Sequence, residues 1–106
     1  MASDNDLALA AKAAGKRRGE WDYDWLRDCG HEISRDMLWD PRRDSGQALE
    51  LAALLDLTVE RYDGNSTIAG NVLLEHWPHE PDGDDRNAGM RRAIYRAAVA
   101  IGKAMP

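Results

Sequence analysis

The sequence predicts an α+β fold: a small antiparallel sheet with helices packed on it, arranged as an α/β/α sandwich. Three observations carry this expectation. Asp63-Gly64-Asn65 separates two β-favouring runs, and residues that tolerate positive φ at such a point make a hairpin turn. Ala48, Leu51, Ala52 and Leu55 fall at i, i+3, i+4 and i+7, one apolar stripe at helical period. Met90, Ile94, Ala97, Ala98, Ile101 and Met105 form a second such stripe, with Arg92, Arg96 and Lys103 opposite it and Val99 among them. A three-stranded sheet is the smallest that buries both stripes, and a wholly helical chain leaves the hairpin unexplained.

Taken in order, Ser3 with Asp6 makes a capping-box pattern that opens an Ala-rich helix carrying Leu7 and Leu9 and ending at Gly15. Alanine favours helix but buries little area, so this helix needs a partner surface. The basic run Lys16-Arg17-Arg18 and Gly19 follow as a break. Trp21, Tyr23 and Trp25 alternate with Asp22 and Asp24, a period of two that reads as a short strand or an aromatic-pinned loop. Ile33, Met37 and Leu38 mark a second short element ending at Trp39-Asp40-Pro41.

Asp44 or Ser45 caps the next helix, where Leu49 and Leu54 widen the apolar stripe toward full burial. Residues 57–62, with Thr58 and Val59, read as the first hairpin strand. Residues 67–77 read as the second, with Ile68, Gly70, Val72 and Leu74 on one face and Pro78 as its stop. Residues 78–85 read as a polar loop, from which Asp84 or Asp85 caps the last helix.

With 106 residues, the chain is expected to form a single domain, residues 1–106. Its 43% hydrophobic and 31% charged residues suit a globular protein. A net charge of −5 argues against a general nucleic-acid coat. No apolar run approaches the roughly 20 residues of a membrane span, and no basic-then-apolar leader opens the sequence. Cys29 is the single cysteine, so no internal disulfide forms, and a cytoplasmic setting is expected.

Four groups of residues are candidates for chemistry. Cys29 and His31, with His76 and His79, form two close pairs of zinc-type ligands. The first pair has one-residue spacing, shorter than the usual two to four, and Pro78 restricts the second, so inert surface side chains are the competing reading and no metal or cofactor is expected. Glu75, Glu80, Asp82, Asp84 and Asp85 cluster as a hard cation would require, without the spacing of a calcium loop, which reads as a solvated acidic loop. The last helix, with five basic residues and no acidic ones over 86–106, offers either a phosphate-binding face or a complement to that acidic run. Trp21, Tyr23, Trp25 and Trp39 are core or sheet-covering residues by default and interface anchors if exposed. No nucleophile elbow, phosphate-binding glycine loop or His-Glu-x-x-His motif is present, so the reading is not an enzyme.

Two stretches carry a family resemblance. One is Trp39-Asp40-Pro41-Arg42-Arg43-Asp44-Ser45-Gly46-Gln47-Ala48-Leu49, running on to Leu57-Thr58-Val59. The other is Met90-Arg91-Arg92-Ala93-Ile94-Tyr95-Arg96-Ala97-Ala98-Val99-Ala100-Ile101-Gly102-Lys103. Together they resemble small phage and prophage proteins of the phage ABA-sandwich group, and accessory proteins of lambda-like phages. The resemblance implies helices on both faces of a sheet, a phage origin and a host-cytoplasm location, and transfers no catalytic residue. The resulting expectation is a non-enzymatic phage or prophage accessory protein that binds a host or phage protein, or itself, through Trp21, Tyr23, Trp25, Arg92 and Arg96. Nucleic-acid association through the basic C-terminal helix is the first alternative, and a small zinc protein the second.

Overall fold

The computed structural model describes residues 2–106, with side chains described from Asn5 onward. Helix α1 covers Ala2–Ala14. The expected Ser3 cap lies outside the residues whose side chains are described. Gly15 closes α1 at φ +71°, with Gly15 N–H donating to Lys12 O and Lys16 N–H to Ala11 O, a left-handed C-terminal cap.

The aromatic alternation at 21–25 does not form a strand. It folds as two short helices, α2 (Arg18–Trp21) and α3 (Tyr23–Asp28). The reason is local: the Asp22 carboxylate accepts the Trp25 backbone N–H at 3.1 Å and caps α3, so the interleaved acid serves a helix start. Ile33, Met37 and Leu38 flank one 3₁₀ turn, Arg35–Met37, with Met37 exposed and Leu38 buried.

Helix α4 (Ser45–Leu54) is capped by Asp44, whose carboxylate accepts Gln47 N–H at 3.0 Å. Ala48, Leu51 and Ala52 are buried as the stripe predicts. Leu49 and Leu54 are not: both face solvent, because α4 meets the core along a single narrow seam.

Strands β1 (Thr58–Tyr62) and β2 (Ser66–Gly70) form the expected antiparallel hairpin, with Asp63 and Gly64 at positive φ in its turn. β2 stops at Gly70 rather than running to residue 77. A Cβ on Gly70 would lie 2.3 Å from the Trp77 ring, and the Asn71 side chain turns the chain by accepting Leu73 N–H at 2.9 Å. The third strand, β3 (His79–Pro81), comes instead from the stretch read as a polar loop. It pairs antiparallel with β2, giving the order β1-β2-β3. Pro78 fits beside this edge strand because its carbonyl, which proline keeps, accepts Ala69 N–H.

Helix α5 (Arg86–Ala104), capped by Asp85, is the hub. It packs on α1, on α4 and on the sheet through β2 and β3. The small α+β class with helices on an antiparallel sheet is therefore the fold of the chain. By strand alternation, Val59, Arg61, Thr67, Ala69 and Glu80 share the sheet face toward α5. Tyr62, Ser66, Ile68 and His79 share the other, so α5 covers one side of the sheet, rather than helices covering both as in the expected α/β/α sandwich, and α1 and α4 stack on α5. Val99, expected on the polar side of α5, is buried, since α1, α4 and the sheet enclose most of its circumference.

One ion pair joins the hairpin to the entrance of α5. Arg61 donates to Asp82 at 2.6 and 2.5 Å, to Thr67 Oγ1 at 3.1 Å and to Gly64 O at 2.8 Å. The guanidinium hydrogen bonds hold the Asp82 carboxyl below the usual aspartate range and raise Arg61. A carboxyl depressed in the folded state stabilises the fold above its unfolded pKa, and that contribution disappears as pH falls through the folded value. Asp82→Asn is therefore expected to be less stable than the parent at neutral pH. The gap should close on acidification below about pH 4, as read from urea midpoints across pH.

Candidate functional site

Between α1, α2, α3 and the 35–43 segment lies an open cleft of about 560 Å³. Trp39 and Asp40 line it from the corner Trp39-Asp40-Pro41, all three of which are buried. Gln47 fixes this corner by accepting Asp40 N–H at 2.6 Å, and Arg91 of α5 ties it down through Arg42 O and Ser45 Oγ. The buried Asp40 carboxylate accepts Arg42 N–H and Nε at 3.0 and 2.8 Å through one oxygen and Arg42 Nη2 at 2.7 Å through the other. Both oxygens are thus engaged, and Arg43 Nε stands 3.4 Å away. This carboxylate is a structural anchor rather than a general base.

Cations stand over aromatic rings in and beside the cleft. Arg35 stacks over Tyr23 at 4.1 Å, while Lys16 and Arg18 stand over Trp39 and Trp25 at 5.9 and 5.2 Å. Arg18 is hydrogen-bonded to Asp22 at 2.8 Å. The Arg35 side chain, among the described residues, makes only a loose 3.7 Å approach to Asp24 and no side-chain hydrogen bond. Arg43 donates to Arg35 O at 3.1 Å and lies 3.9 Å from Asp36. A guanidinium over an aromatic face can still donate hydrogen bonds through its N–H edge.

Of the sequence-predicted interface residues, Trp21 and Tyr23 line this cleft, both half-buried. Trp25 stands just outside it, 37% exposed under Arg18. Arg92 and Arg96 are elsewhere and are committed inside the molecule. Both pair with the Glu80 carboxylate, and Arg92 also donates to Pro81 O at 2.6 Å. Here the basic helix face does complement the acidic run, the second of the two expectations for it. The residues that sequence reasoning missed are Arg35, Arg43 and the Asp40 anchor. They lie on a segment without periodicity, so only the fold places them beside Tyr23.

The structure does not assemble Cys29, His31, His76 and His79. No group of three or more His, Cys, Asp or Glu among the described residues is placed to hold a metal ion. Cys29 and His31 are exposed after α3. His79 instead meets Ser66, Nε2 to Oγ 2.6 Å, with the Tyr62 ring edge-on at 4.9 Å. The Ser66 hydroxyl proton goes to Tyr62 O at 3.0 Å, which leaves His79 as the donor in that pair. Ser66 is buried as well, so the pair fastens the sheet and does not activate a nucleophile.

No helix among the described residues is long and apolar enough to cross a membrane. Compared with protein-family models, curated proteins and solved structures, the chain matches none.

Proposed function

We propose that this protein acts by binding, without catalysis, a segment of another protein in the cleft between α1 and the 35–43 corner. The observation that carries this reading is the Arg35 guanidinium, 4.1 Å over the Tyr23 ring and 3.7 Å from Asp24, in a cleft that Trp21, Tyr23 and Trp39 also line. Trp, Tyr and Arg are the residues that anchor protein interfaces. The cleft is open and carries both charge signs, which suits a polypeptide with carboxylate and apolar side chains better than an enclosed small molecule. The resemblance of residues 39–59 and 90–103 to phage and prophage proteins supports a phage or prophage accessory role, with a host or phage protein in the host cytoplasm as the partner. Association with nucleic acid through Arg92 and Arg96 is less favoured, because both are engaged with Glu80.

The test is capture of partners on the tagged protein from nuclease-treated lysate of a phage-bearing bacterial host. The Tyr23→Ser/Arg35→Ala double variant is expected to lose the co-purifying protein by about tenfold or more. Arg92→Ala/Arg96→Ala should retain it. The reverse pattern, or loss of the capture on nuclease treatment alone, overturns the reading.

A further inference from the structure

A second surface lies away from the cleft, on the turn that follows β2. Val72 is 99% exposed and Leu73 67%, and Leu54 at the end of α4 is 61% exposed. A floppy loop would fold such side chains inward, but this turn is fixed. Asn71 Nδ2 donates to Leu55 O at 2.9 Å, and Asn71 Oδ1 accepts Leu73 N–H at 2.9 Å. Asn71 O also accepts Trp77 Nε1–H at 3.1 Å and Leu74 N–H at 3.1 Å. One asparagine thus ties the turn to α4, to itself and to the indole that lies on Gly70. The Asn71–Leu55 bond links the residue after Leu54 to the residue before Val72, so two exposed aliphatic groups flank one hydrogen-bonded junction. Rigid presentation of this kind lowers the ordering cost of association.

The charged residues nearest this tip along the chain are acidic, while Arg96 and Lys103 of α5 approach only the far end of the turn, at His76 and Trp77. From residue 44 to 60 and from 62 to 85 there is no Lys or Arg. Glu50 of α4, Asp56 after it and Glu75 of the turn are exposed, with His76 beside Glu75. In a symmetric pair of copies these acids would face one another, and an anionic bilayer would be repelled.

We propose that the Val72–Leu73 turn, with Leu54, is a docking surface for a partner protein that offers an amphipathic helix with an apolar face flanked by Lys and Arg. Complementary charge steers the encounter and the aliphatic side chains pack on the apolar face. This surface shares no residue with the cleft, so either can fail alone.

The probe is a synthetic amphipathic helix with a Leu face and a Lys face, titrated by calorimetry into the full chain, with a Leu/Glu helix of equal length as control. Saturable binding of the Leu/Lys helix is expected, weakened by about tenfold or more in Val72→Ser/Leu73→Ser, with the Leu/Glu helix failing to bind. Tyr23→Ser/Arg35→Ala should bind the probe unchanged, which separates this site from the cleft. Because both turn residues face solvent, the double variant keeps its fold, and an unchanged circular dichroism spectrum checks that. Unchanged binding by the turn variant, equal binding of the two helices, or no binding overturns the proposal. So does self-association that the turn variant abolishes, which makes the occupant a second copy. Adsorption of the turn to anionic vesicles overturns it in favour of a membrane.

Discussion

Gly102→Ala is expected to destabilise the protein by at least about 2 kcal/mol, although alanine is the better helix former. A Cβ at this position would stand 2.1 Å from the Leu9 carbonyl oxygen and 2.7 Å from its carbon. The obstacle is backbone, so no side chain can rotate away, and α1 must move off α5 as a body. The change gains about 1 kcal/mol in helix propensity and loses about 3 kcal/mol or more through overpacking. Ala10 and Ala11 of α1 and Ala97 and Ala98 of α5 are all fully or almost fully buried, and such small side chains interact well only at close approach. A thermal midpoint lower by roughly 10 °C or more is the expected reading.

Ile94→Ala should cost about 2–5 kcal/mol, and Ile94→Val about 0.5–1.5 kcal/mol. Ile94 is completely buried, among the largest side chains to be so, in a core otherwise built largely of alanine. A core of small residues has little spare volume to collapse into the space that truncation leaves, which places the alanine variant toward the upper part of that range. Urea unfolding of the two variants checks the gradation. Equal losses would mean that the site responds to shape rather than to buried volume.

The parts of the fold legible in the sequence are those whose signal is local and periodic. The α4 seam, the α5 stripe and the Asp-Gly turn each fix an element by themselves, and Asp44 and Asp85 cap the helices they were expected to cap. The reading failed where one residue pattern supports two structures. Trp21, Tyr23 and Trp25 at every second position fit a strand until Asp22 spends its carboxylate on Trp25 N–H. β3 is three residues that follow one proline and end on another, too short for alternation to register, and only its pairing with Ser66, Thr67 and Ile68 defines it.

The candidate site was half legible for a related reason. Composition singled out Trp21 and Tyr23, which line the cleft, but equally Arg92 and Arg96, which Glu80 engages. Charge sign alone cannot separate a free guanidinium from a paired one. Arg35, twelve residues after Tyr23, reaches it only because the Gly30 turn and the Trp39–Glu20 backbone bond bring the two segments together. Val72, expected in a strand, stands outside one because Asn71 ends it.

The position of α5 at the hub has a consequence for biosynthesis. It leaves the ribosome after α1, α4 and the hairpin, all of which rest on it. At about 5–20 residues per second, α1 waits on the order of several seconds before its partner exists. The nascent chain through residue 85 holds Leu7, Leu51 and the inner face of β2 without the surface that shelters them. Folding of these elements thus waits for α5 rather than proceeding piece by piece. A ribosome stalled before residue 86 would display a chaperone substrate, and one that has extruded α5 a folded unit.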